Sequence, residues 1–144
     1  MVSMAIGEDQ LAVVLQASLD HAKERLEEAG GFLPFGTRAR PNGDIEFLEA
    51  EGGQEPIDAL YRRIGEMLAD DARRRDILAA ALVANASLPA GAADDFETAV
   101  SVLVEAPDFC RSVVAPYRFA GGTVEFGPLI PEESDPVVFA IPAS

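Results

Sequence analysis

Thiols and imidazoles do covalent and proton-transfer chemistry most readily near neutral pH, and the chain carries one of each, Cys110 and His21. A thiol becomes a nucleophile when a proton acceptor stands beside it, so the pair would act together if the fold joined them. Their surroundings argue for the plainer roles. Cys110 falls in a run with strand character, where a cysteine behaves as a small hydrophobe. His21 stands among Glu24, Arg25 and Glu28, on what reads as the solvated face of a helix. A single cysteine excludes an internal disulfide, and with a single histidine it excludes a Cys/His zinc cluster. No catalytic residue, metal site or cofactor is assigned on these grounds.

The remaining charged groups give two further candidates. Asp94, Asp95 and Glu97 are a dense acidic cluster near Gly91. They lack the ligand order of an EF-hand and its closing glutamate, so loop solvation and strand initiation account for them. Arg62, Arg63, Arg73, Arg74 and Arg75 are five of the eleven basic residues. Their planar forks suit a carboxylate or phosphate, and Arg73 and Arg74 are kept as candidate binding residues. Acids three or four positions away offer each a partner within its own helix, which is the competing reading. Neither a G-x-x-x-x-G-K-[ST] loop nor a G-x-S-x-G elbow occurs. No glycine pair follows a strand and opens a helix, so phosphate-loop and dinucleotide sites are excluded.

The segment Gly31-Phe32-Leu33-Pro34-Phe35-Gly36 places three large apolar residues between glycines. Pro34 cannot donate to a ladder, which marks a strand beginning or an edge. Phe32 and Phe35 would either close the core over a helix end or, with Leu33, form an apolar patch for a partner or a small ligand. Phe32, Leu33 and Phe35 are therefore the second set of candidate binding residues.

Hydrophobic periodicity supplies the elements that position these groups. Leu11, Leu15, Ser18, Ala22, Leu26 and Ala29 recur at spacings of three and four, predicting a helix over 8–29 that ends at Gly30-Gly31. Pro41-Asn42-Gly43 suits a three-residue hairpin loop, a type I turn followed by a left-handed glycine. That loop pairs Arg40 with Asp44, Ala39 with Ile45, Arg38 with Glu46 and Thr37 with Phe47. Opposite charges then meet on one side and apolar residues on the other. Pro56 opens a second helix with Ile57, Leu60, Tyr61, Ile64, Met67 and Leu68 as its stripe. Continued to Leu88, that helix would run about 50 Å, longer than the roughly 40 Å diameter of a domain this size. Every position from Ile77 to Ala84 is apolar, which instead fits a strand over 77–88 buried on both faces. Strands are then predicted around Glu97–Val104, Phe109–Phe119 and Thr123–Phe126, with a last edge strand over Val137–Ile141.

These elements predict a single α+β domain over residues 1–144, with residues 1–7 and 142–144 as loose ends. It would have two layers, with two main helices packed on one face of a mostly antiparallel sheet of about five to six strands. The formal charge is −14 and the sequence pI about 4.2. So acidic a chain is repelled by phosphate backbones and anionic lipids, which argues against nucleic-acid and membrane partners. With no leader-like N-terminus and no apolar run near the ~20 residues of a bilayer span, the cytoplasm is the expected location. Ten arginines to one lysine suggest a GC-rich bacterial genome. The expected function is that of a small non-enzymatic interaction protein, either self-associating, as a homodimer, or binding a basic protein partner. The alternative is a small-molecule-binding domain or small enzyme with a pocket on the sheet face, using Tyr117, Arg118, His21 or Cys110.

Overall fold

A computed structural model describes residues 8–49, 56–88, 96–107, 109–134 and 137–139; the ends expected to be loose lie outside them. The elements are α1 (Glu8–Ala29), β1 (Phe35–Ala39), β2 (Ile45–Glu49), α2 (Ile57–Arg73), β3 (Ala79–Ser87), β4 (Thr98–Ala106), β5 (Phe109–Ala120), β6 (Thr123–Phe126) and β7 (Ile130–Glu132). The architecture is α+β, two helices packed on a seven-stranded antiparallel sheet of order β2-β1-β3-β4-β5-β6, with β7 also on β5. No helix among the described residues is long and apolar enough to cross a membrane.

The hairpin has the register its turn chemistry demands. Thr37 faces Phe47, Arg38 faces Glu46 and Ala39 faces Ile45. The Arg40 amide donates to the Asp44 carbonyl at 2.8 Å, and the Gly43 amide to the Arg40 carbonyl at 2.9 Å. Gly43 has φ of +97°, the left-handed conformation that only glycine adopts at little cost. Arg38 and Arg40 both donate to Glu46, at 2.8 and 3.0 Å.

Residues 79–87 are a strand, and positions 79–83 are all buried. Successive side chains point to opposite faces, so the two sides of this strand see different partners. Ala79, Ala81 and Val83 join Val100, Val102 and Val104 beneath Val14, Leu19, Ala22 and Leu26 of α1. Ala80 and Leu82 join Leu103 beneath Ile64 and Leu68 of α2. The helices therefore cover opposite faces and the molecule has three layers, in contrast to the two-layer arrangement predicted. The physical reason is in β3 itself, since a strand apolar on both faces requires cover on both.

Smaller departures have similar causes. Met67 and Ile57, expected in the α2 stripe, are exposed, while Gly65 and Asp71 are buried in their place. The packed face is thus rotated toward a notch at Gly65. Asp71 accepts from Arg38 and Arg74, each at 2.8 Å, which fastens the end of α2 to the hairpin. On the other face Ser18 Oγ donates to the Val14 carbonyl and lies 2.8 Å from the Thr37 hydroxyl, which is left to donate to it. Residues 137–139, expected in an edge strand, form bends, because their amides are bound by a side chain rather than by a neighbouring strand.

Candidate functional site

Phe32, Leu33 and Phe35 lie where α1 hands the chain to β1. Phe35 is buried in the α1-side core, Phe32 packs half-buried against it, and Leu33 is 39% exposed. Two of the three therefore close the core over the helix end, and Leu33 alone presents apolar surface. Phe47, which the sequence reading did not single out, joins them from β2. It is 37% exposed, with its ring 6.1 Å from that of Phe35.

His21 is not solvated on a polar face as predicted. Its ring stacks on Phe47 at 4.0 Å and 9° and meets the edge of Phe35 at 4.7 Å. Its Nε2 lies 2.6 Å from Glu49 Oε1. Arg25 donates to the same carboxylate from Nη2, at 2.6 Å to Oε1 and 3.0 Å to Oε2. Burial alone would raise the Glu49 pKa, but the hydrogen bonds from Arg25 and His21 outweigh it and hold the carboxyl below its ordinary value. The same contact raises the Arg25 guanidinium. These polar side chains join α1 to β2. The cavity beside them, lined by Arg25, Gly31, Phe32, Leu33, Phe35 and Glu49, holds about 200 Å³. That is less than the roughly 300 Å³ at which ordinary small-molecule pockets begin.

The edge of β2 is the other feature of this region. The Arg40–Asp44 pair is hydrogen-bonded, and bonded pairs alternate along an antiparallel ladder. Asp44, Glu46 and Leu48 therefore direct their backbone groups at β1, while Ile45, Phe47 and Glu49 direct theirs outward. Among the described residues no strand pairs with that outer side. Asp20, Glu24 and Glu28 are exposed on α1, and residues 44–55 contain five acids and no lysine or arginine.

The other candidates do not join this region. Arg73 and Arg74 sit at the end of α2, on the opposite face of the sheet from α1. Arg73 bonds Asp70, and Arg74 bonds Asp71 at 2.8 Å and Asp76 at 3.3 Å, so the end of the helix and the turn after it supply their partners. Cys110 packs against the α2-side core, so the sheet separates it from His21 and the nucleophile–base pair does not form. Tyr117 is buried on the α1 side with its hydroxyl donating to Asn85 Oδ1 at 2.8 Å; Arg118 is exposed, 5.3 Å over the Phe96 ring. Cys110 lies across the sheet from His21 and Tyr117, so these four side chains do not converge. Asp94 and Asp95 lie outside the described residues, and among those described no group of three His, Cys, Asp or Glu side chains is placed to hold a metal ion. No protein-family model, curated protein or solved structure matches the chain.

Proposed function

We propose that the protein is a non-enzymatic binding module that takes an extended, basic segment of a protein partner along the outer edge of β2. The carrying observation is the row of outward backbone groups on Ile45, Phe47 and Glu49, which no strand among the described residues pairs, beside the exposed Leu33 and Phe47. An added strand would gain main-chain hydrogen bonds from that row. Its side chains would alternate between Phe47 and Leu33 on the α1 face and Glu46 and Leu48 on the α2 face. The formal charge of −14 favours a basic occupant over a second copy of the chain, which would bring the same sign of charge.

The test is an NMR titration of the full chain with an alternating Lys–Val peptide and with its Glu–Val counterpart, at low and high salt. The proposal expects shifts concentrated at Ile45, Phe47 and Glu49, stronger binding of the basic peptide, and weakening as salt screens the charges. Equal response to both peptides, shifts centred elsewhere, or dimerisation through β2 without peptide would each overturn it.

A further inference from the structure

Glu105 is the one glutamate among the fully buried side chains of the described residues, and it stands next to last in the apolar strand β4. It faces the α2 side, opposite Ala80 of β3 and Cys110 of β5, whose small side chains leave it room. A buried carboxylate must be compensated, and among the described residues no cation pairs with it. Three successive backbone amides do so instead. Val137 donates to Oε2 at 2.8 Å, Val138 to Oε1 and Oε2 at 2.9 and 3.0 Å, and Phe139 to Oε1 at 2.9 Å. This is an anion held by a nest of main-chain N–H groups, with the anion supplied by the protein's own sheet.

The segment that brings those amides also completes the core on this face. Val138 is 4% exposed among Ile64, Leu68, Leu82 and Leu103, and Phe139 packs half-buried against them. Val137 rests in the notch of α2, where a Cβ on Gly65 would come within 3.3 Å of its Cγ1. It also lines a groove of about 460 Å³ along α2, with Tyr61, Gly65 and Ala69. Burial and, after it, the negative charge of Glu105 push the Tyr61 hydroxyl above its ordinary range.

We infer that residues 137–139 are a detachable strap, latched on Glu105, whose release opens the α2-side core into the groove along that helix. Among the described residues, the strap is held by the Glu105 carboxylate and by side-chain contacts, those of Val138 and Phe139 with the core and that of Val137 with the notch at Gly65. No sheet ladder ties residues 137–139 to the rest of the molecule among the described residues. Its opening is therefore a local event, separable from unfolding of the sheet. The reading is independent of the β2 edge.

Amide hydrogen exchange on the full chain tests it with two variants. Glu105→Gln replaces one acceptor oxygen with an amide NH2 that points donors at donors. Val138→Ala leaves the carboxylate in place and weakens only the strap's apolar hold. Both variants are expected to speed exchange of the 137–139 amides by about tenfold or more while the β3 and β4 amides keep their protection. Unchanged exchange at 137–139 in Glu105→Gln overturns the latch. Loss of β3–β4 protection in step with the strap in Val138→Ala overturns its separability, and that variant decides alone if Glu105→Gln does not fold.

Discussion

Adding one methyl group at Gly36 tests the three-layer arrangement at a single atom. Residue 36 lies on β1 beneath α2, and a Cβ there would come within 2.9 Å of Ile64 Cγ2 and 3.0 Å of Leu68 Cδ1. Both neighbours are buried, so the clash is relieved only by moving the helix or twisting side chains off their rotamers. Overpacking of this kind costs about 1–3 kcal/mol. Alanine regains about 0.5–1 kcal/mol over glycine within a strand. The balance for Gly36→Ala runs from about zero to a loss of about 2.5 kcal/mol, or up to about 10 °C in Tm for a chain of this size. Gly31→Ala is the internal control. Its Cβ would meet only Asn85 Nδ2 at 3.9 Å, so the same chemical change should be neutral or mildly stabilising there. Urea unfolding should show a lower midpoint with unchanged slope for Gly36→Ala, and Ile64→Ala should cost less in its presence than in the wild type. Stabilisation by Gly36→Ala equal to that by Gly31→Ala would refute the placement of α2 against β1.

Three further outcomes follow from the ion pairs and the exposed patch. Asp71→Asn weakens the joint between α2 and Arg38 of β1 and should cost about 1–3 kcal/mol in urea unfolding, since both of its arginine partners lose a charged acceptor. Glu49 has a folded-state pKa below its ordinary 4.5, so its ion pairs stabilise the fold above that value and lose the contribution as pH falls through the folded-state pKa. Thermal melts of wild type and Glu49→Gln should therefore differ near neutral pH and converge in acid. Leu33→Ser removes an exposed side chain and should leave Tm nearly unchanged while weakening the Lys–Val peptide, as read by the same NMR titration.

What the sequence made legible is what depends on neighbours in the chain. The register from Thr37–Phe47 to Arg40–Asp44 follows from a turn and the charges beside it, both local, and the apolar run after Asp76 is a strand for the same kind of reason. The assignment of the helices to faces was less local. The run from 77 to 84 already demanded cover on both sides, yet neither helix carries a mark of the side it takes. His21 was misread because its neighbours in sequence are polar, whereas Phe35 and Phe47 reach it only through the sheet. Phe47 itself was legible as an apolar residue of the hairpin; the signal missed was that an edge strand leaves such a residue partly uncovered. Glu105 gives no sign in sequence, since one acid among valines resembles ordinary strand alternation. Its partners are amides more than 30 residues away that carry no side-chain signature.

The central claim, that the backbone of β2 is the docking element, is tested most directly by comparing Phe47→Pro with Phe47→Ala. Both remove the ring, but proline also deletes an N–H that points away from the β1 ladder, so the hairpin keeps its own hydrogen bonds. Affinity for the Lys–Val peptide, measured by titration calorimetry at low salt with the β1–β2 register checked by NMR, is predicted to fall about tenfold further in Phe47→Pro than in Phe47→Ala, which is about 1.4 kcal/mol. Equal affinity of the two variants, with the hairpin intact in both, would contradict strand addition at this edge.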